Sequence, residues 1–221
     1  MNTLITNDFF DNSEIRKKLK NKIMTFRYGT FEIDGVPREI DAHIKWVGIM
    51  EAYNIINPNA KSLLDIGCGT TPLSIYFKEF IDNVYAIDCN CPEIAISEYK
   101  NNHVCFINND ILIENNIPEG SIDCIIDSCA IGCGMKIESA IEKISKLLKV
   151  GGYFITIGDT NLDTTSGNFI NPTAWIELCK KFKMVLTEDY TDINSNLFIK
   201  ATSFRQWGVL NIVRLVFKRV E

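Results

Sequence analysis

Asp65-Ile66-Gly67-Cys68-Gly69 places an acid and two glycines within five residues. Two glycines between a strand and a helix permit a tight turn and let a ligand approach the backbone closely. A GxGxxG dinucleotide fingerprint would need a third glycine where Pro72 stands. Asp88 follows 21 positions after Gly67, at a distance where a carboxylate accepts from the two hydroxyls of a ribose; a helix cap is the plainer alternative. Asn109-Asp110-Ile111 adds a carboxylate for an adenine amino group and, at Ile111, a backbone N–H for the ring. Each signal is weak alone. Together, Gly67, Gly69, Asp88 and Asp110 close three successive strand-like segments in the order a nucleoside site requires.

Proton-transfer candidates are fewer. His43 is one of two histidines, and a neutral imidazole near pH 7 suits removal of a hydroxyl proton. Asp127 and Asp159 each end an apolar run and are also candidates; a structural hydrogen-bond acceptor is the plain reading of both. The eight cysteines (68, 89, 91, 105, 124, 129, 133 and 179) contain no CxxC. They are expected to be reduced thiols without a metal, in a cytoplasmic protein.

The elements that must position these residues follow from periodicity. Residues 12–24 and 40–56 read as amphipathic helices, with the aromatic stretch 25–37 between them as a loop or short hairpin. From Lys61 onward short apolar runs alternate with helical stretches. Strands are expected at 62–67, 83–88, 104–110, 122–128 and 152–159, and helices at 72–80, 92–101, 136–150 and 172–182. Runs at 184–191 and 196–204 suggest a hairpin. The alternation predicts an α/β fold: a mostly parallel sheet, helices on both faces, ligands at the carboxyl ends of the strands. The tail 207–221 reads as an amphipathic helix with Asn211, Arg214, Lys218 and Glu221 on one face. It is expected to pack on the domain or a partner copy, with contact to an anionic membrane as the lesser alternative. The expected domains are a helical cap or lid (1–60), a core (61–204) and this tail (205–221).

SLLDIGCGTTPLSIYF, VYAIDCN, INNDIL, GSIDCIIDSCAI and LLKVGGYFITIGD together resemble the successive motifs of class I S-adenosylmethionine-dependent methyltransferases, over about residues 61–203. The glycine pattern departs once from the family's (D/E)xGxGxG, with Thr71 at the last glycine. The resemblance implies a Rossmann-like seven-stranded sheet of order 3-2-1-4-5-7-6 with strand 7 antiparallel. It implies S-adenosylmethionine as cofactor, with Asp65, Gly67, Cys68 and Gly69 around its methionine part, Asp88 on the ribose and Cys89 flanking the adenine. Asp110 and Ile111 would take the adenine edge, and Ser128 would lie near the sulfonium. Gly132 and Cys133 stand where many relatives carry an aromatic or histidine pair. Some metal-dependent O-methyltransferases use an Asp here and an Asp-Asn pair later; Asp127, Asp159 and Asn161 approximate that set, with Thr160 interrupting it.

Net charge is −5 and the pI about 5.2 over 221 residues, which disfavours nucleic-acid acceptors. The start MNTLITNDFFDNSEIRKK is not expected to be a secretory signal, and no apolar stretch approaches the ~20 residues that span a bilayer. The expected activity is O-methylation of a small-molecule or carbohydrate-like acceptor, by soft analogy one in bacterial surface-polysaccharide synthesis. His43 and Asp127 are the catalytic candidates, and Phe26, Tyr28, Phe31, Trp46, Met50 and Tyr53 a lid. The alternatives are a cofactor-binding protein without catalysis, a metal-dependent O-methyltransferase and, more remotely, a nicotinamide oxidoreductase.

Overall fold

The computed structural model describes residues 59–69, 73–79, 81–113, 116–128, 130–131, 136–160, 172–187, 198–202 and 209–221, together with the backbone of 32–33 and 36–37. His43, the aromatic lid residues, Cys129, Gly132, Cys133 and Asn161 lie outside the described residues. Two short strands, β1 (Glu32–Ile33) and β2 (Val36–Pro37), pair antiparallel, in keeping with the hairpin read over 25–37.

The main sheet begins with β3 (Ser62–Ile66), buried at every position. An apolar run with little alternation is what a strand covered on both faces requires. Next come β4 (Asn83–Asp88), β5 (Cys105–Asn108), β6 (Ile122–Ser128) and β7 (Leu148–Thr160). The last three strands are β8 (Met184–Leu186), β9 (Phe198–Thr202) and β10 (Val209–Arg219). Helices α1 (Glu93–Asn101), α2 (Ile137–Leu147) and α3 (Pro172–Lys181) alternate with them, and a 3₁₀ helix spans Leu73–Glu79. The sheet order is β5-β4-β3-β6-β7-β10-β8. Strands β3 to β7 run parallel, and β10 is antiparallel to β7. Counted from β3, this is the order 3-2-1-4-5-7-6 with an antiparallel seventh strand.

Two readings of the carboxyl-terminal third are corrected. The tail is not a helix. Asn211–Lys218 ladders onto β7 from Thr160 to Tyr153, and Leu215, Val216 and Phe217 are all buried. Three consecutive buried side chains fit a strand covered on both faces, not one stripe of a helix. Nor do 184–191 and 196–204 form a hairpin. β8 pairs with Phe217–Arg219 and β9 with Val209–Val213, both antiparallel to β10. They therefore run in the same direction, end to end along one edge of the terminal strand.

The core packs α2 and α3 against the sheet. Phe154 stacks between Trp175 of α3 and Phe217 of β10, each pair of ring centroids 6.1 Å apart. At the amino ends of the strands the Asp123 carboxylate accepts from the backbone N–H of Lys61 and Ser62, the Ser62 hydroxyl and the Lys149 ammonium, at 2.8–3.0 Å. That latch fixes the start of β3, and so the level at which its other end delivers the glycines.

Candidate functional site

The ladders bring the sequence-selected residues to one end of the sheet. Ile66 lies level with Ile87 of β4 and Asp127 of β6, and Asp88 level with Asn108 of β5. The chain leaves all four strands within one or two residues of this line. Asp65, Gly67, Cys68, Gly69, Asp88, Cys89, Asp110, Ile111 and Ser128 therefore share the carboxyl edge around the switch point between β3 and β6, where α/β sheets bind ligands.

The turn after β3 is built on glycine. Gly67 and Gly69 have φ of +60° and +56°, a region where a Cβ clashes with the neighbouring backbone. At Gly67 there is a second reason: a Cβ would sit 2.1 Å from the Ala130 Cβ. The glycine thus admits the loop after β6 to close contact, which the sequence did not reveal. The Gly67 and Cys68 N–H groups donate to the Ile87 carbonyl at 2.8 and 3.2 Å. Cys68 is fully buried within the turn.

Asp88 is half-buried at the end of β4. One carboxylate oxygen accepts from Gly69 N–H at 2.9 Å, the other from Asn90 N–H at 2.8 Å. Each oxygen keeps a second acceptor position. Asp110 is half-buried and receives Leu112 N–H at 2.9 Å on one oxygen. The Ile111 side chain joins the core, whereas Cys89 is exposed. Asp65 and Ser128 are buried, at 4% and 7% exposure.

Asp127 does not stand ready for an incoming hydroxyl. It is 1% exposed. One oxygen accepts from Ala130 and Ile131 N–H at 2.9 and 3.1 Å, the other from the Thr156 hydroxyl at 2.7 Å. Burial pushes its carboxyl up to about 6, against the pull of these three hydrogen bonds. The geometry makes Asp127 the holder of the turn after β6, and a cation at its oxygens would have to displace those donors. Asp159 is a strand residue, level with Ile212 of β10, since β7 runs on to Thr160. Among the described residues no group of three or more His, Cys, Asp or Glu is arranged to hold a metal ion, and no helix is long and apolar enough to cross a membrane.

Residues 64–156 match the family model of the methyltransferase domain. Residues 64–156 form a methyltransferase domain. The matched segment runs from β3 into β7 and includes the glycine turn, Asp88, Asp110 and Ser128. Similar solved folds include the Burkholderia thailandensis 1,6-didemethyltoxoflavin-N1-methyltransferase with bound S-adenosylhomocysteine (14% identity, TM-score 0.61, 82% of this chain and 80% of that one). A TehB-like methyltransferase from Corynebacterium glutamicum (16%, 0.54, 92% and 98%) and the CurJ carbon methyltransferase (11%, 0.58, 82% and 54%) share it. At these identities the likeness is one of fold. No curated protein matches the sequence.

S-adenosylhomocysteine is bound in the Burkholderia fold, and the residues present here fit S-adenosylmethionine. Gly67 and Gly69 bring no side chain of their own to the turn, and Asp88 and Asp110 offer carboxylate oxygens at the end of β4 and just after β5. Sequence reasoning missed one residue at this site. Tyr99 of α1 is fully buried and its hydroxyl meets the carbonyls of Cys68 and Gly69.

Proposed function

We propose that this methyltransferase domain methylates an oxygen of a small-molecule or carbohydrate-like acceptor, of the kind found in surface-polysaccharide synthesis. The observation that carries the reading is the segment after β6. It runs Asp127-Ser128-Cys129-Ala130-Ile131-Gly132 and lacks the Asn/Asp-Pro-Pro-aromatic string associated in the wider family with amine methylation. A net charge of −5 further favours acceptors that are not polyanions.

S-adenosylmethionine supplies, when bound, an electrophilic methyl group on a sulfonium with a neutral leaving group. What remains for the chain is alignment and proton removal. In this reading Asp88 accepts from the ribose hydroxyls on the acceptor positions that Gly69 and Asn90 leave open. Asp110 and the Ile111 N–H take the adenine edge, Cys89 flanks its face, and Asp65 and the Gly67–Gly69 turn border the methionine part. Ser128 lies toward the acceptor. His43 is the proposed base, because Asp127 is already engaged by three donors and the chain's other histidine, His103, lies between α1 and the start of β5, at the opposite end of the strands. The aromatic amino-terminal segment is proposed to cover the pocket. The two similar folds named for nitrogen and carbon transfer make the acceptor atom the quantity to test.

Purified protein, a methyl-labelled cofactor and an extract fractionated by size provide the experiment. Label is expected in small hydroxylated compounds, as a methyl ether or ester by mass spectrometry. Label on nitrogen or carbon overturns the oxygen reading. Binding of S-adenosylhomocysteine without any transfer supports a binding protein instead. His43→Ala is expected to lower turnover by ~10²–10⁴ with cofactor affinity within about twofold, and EDTA is expected to leave activity unchanged. Normal turnover in that variant removes His43 from the mechanism. EDTA inactivation reversed by Mg²⁺ restores the metal-dependent alternative.

A further inference from the structure

The glycine turn is held from beneath by the β4–α1 unit, atom by atom. Three consecutive N–H groups, of Gly67, Cys68 and Gly69, go to the Ile87 carbonyl and the Asp88 carboxylate. The carbonyls of Cys68 and Gly69 receive the Tyr99 hydroxyl at 3.0 and 3.3 Å. The Cys91 thiol donates to the same Gly69 carbonyl at 3.1 Å. A phenol has one proton, so Tyr99 shares it between two adjacent carbonyls and ties their peptide planes to each other. Tyr99 is 0% exposed, which leaves no room for water to substitute. Its ring is fixed in turn by stacking on Phe106 of β5, centroids 5.4 Å apart.

A turn with two glycines in the left-handed region loses much conformational entropy on ordering. Unless something else holds the turn, ligand binding must supply that ordering, and affinity falls accordingly. We infer that Tyr99 is a positioning residue for the cofactor turn: its hydroxyl fixes the two carbonyls and so presets the backbone face that the cofactor meets. The inference rests on the glycine turn being the cofactor site. Burial, helped by Cys68 and Asp65 nearby, holds the Tyr99 phenol well above its usual range. It therefore stays protonated, and stays a donor, at any working pH.

Tyr99→Phe removes the hydroxyl and keeps the stacked ring. Titration calorimetry of the full chain with S-adenosylhomocysteine should show Kd raised on the order of tenfold, and kinetics should place the loss in KM for the cofactor rather than in kcat. Ser62→Ala is the control. It removes another buried hydroxyl, in the latch at the opposite end of β3, and should lower thermal stability without moving Kd. Unchanged Kd in Tyr99→Phe, or an equal rise in Ser62→Ala, overturns the inference. Hydrogen exchange supplies a second measurement that does not depend on the variant folding. In wild-type protein without ligand, the amides of residues 67–69 should already be protected; free exchange there overturns the preset turn. Failure of wild type to bind S-adenosylhomocysteine at all would fault the cofactor-site reading instead, and the exchange result would still judge the turn.

Discussion

Asp127 carries a carboxyl into a site that water does not reach, and the consequence is a pH dependence of known sign. Its folded pKa, raised to about 6 chiefly by burial, exceeds the ordinary value of 3.8. The fold therefore favours the protonated acid. That contribution is fully present below about pH 4 and is lost as pH rises through about 6. In Asp127→Asn the amide oxygen still accepts from Ala130 and Ile131, the Thr156 hydroxyl can turn to accept from the amide, and the titration disappears. Urea midpoints should show wild type losing ground against the variant between about pH 4 and about pH 6; parallel curves would mean that Asp127 titrates alike folded and unfolded. Asp88 has two tasks, so its removal should be felt twice. Asp88→Ala strips the acceptor from Gly69 N–H as well as the proposed ribose partner, and S-adenosylhomocysteine affinity should fall ten- to a hundredfold, roughly 1.5–3 kcal/mol. Calorimetry that finds equal affinity would refute the ribose role. Asp88 was legible because strand-end acids stand out after an apolar run. Tyr99 was not, since an aromatic at helical spacing reads as core and nothing in its own segment tells where its hydroxyl points. The contact of Gly67 with Ala130 was hidden for the same reason: 63 positions separate them, and only the β3–β6 pairing brings them together.

The terminal strand is the element whose nature periodicity misjudged. VLNIVRLVFKR contains four β-branched residues and polar positions at 211, 214, 218 and 219. Spacings of three and four suggested a helix stripe, but an inner strand covered on both faces has no obligatory alternation, so the same letters fit both. What decides is tertiary: β7 has an open edge, and β10 fills it over eight residue pairs. The helical segments were easier, because α2 places Ala140, Ile141, Ile144 and Leu147 on one buried face and its period is unambiguous. As an inner strand, β10 is part of the core rather than an appendage. Phe217 is 0% exposed and stacks on Phe154. Phe217→Ala should cost about 3–5 kcal/mol, visible as a fall in urea midpoint at unchanged slope. Deletion of 209–221 should leave β7 without a partner on one edge and the protein unable to fold. A deletion variant with native circular dichroism and solubility would show that the sheet stands without its seventh strand.

The proposed cofactor site draws on the ends of β3, β4, β5 and β6, so its occupancy should register in the stability of the domain. A ligand that binds only the folded state adds RT ln(1 + [L]/Kd), about 2.7 kcal/mol at a hundredfold excess over Kd. For a chain of this size each kcal/mol moves Tm by about 2–4 °C. S-adenosylhomocysteine at that excess should therefore raise Tm by roughly 5–10 °C. NAD offers the same adenine and ribose but carries a pyrophosphate. The backbone that would have to cradle it needs a third glycine where Pro72 stands, and Pro has no N–H to give. NAD at equal concentration should leave Tm where it was. The pair of measurements separates the adenosine-recognising carboxylates, common to both ligands, from the turn that tells them apart. A shift with both ligands would mean that Asp88 and Asp110 bind adenosine while the glycine turn does not select. A shift with neither, in protein that unfolds cooperatively, would detach the turn from cofactor binding altogether.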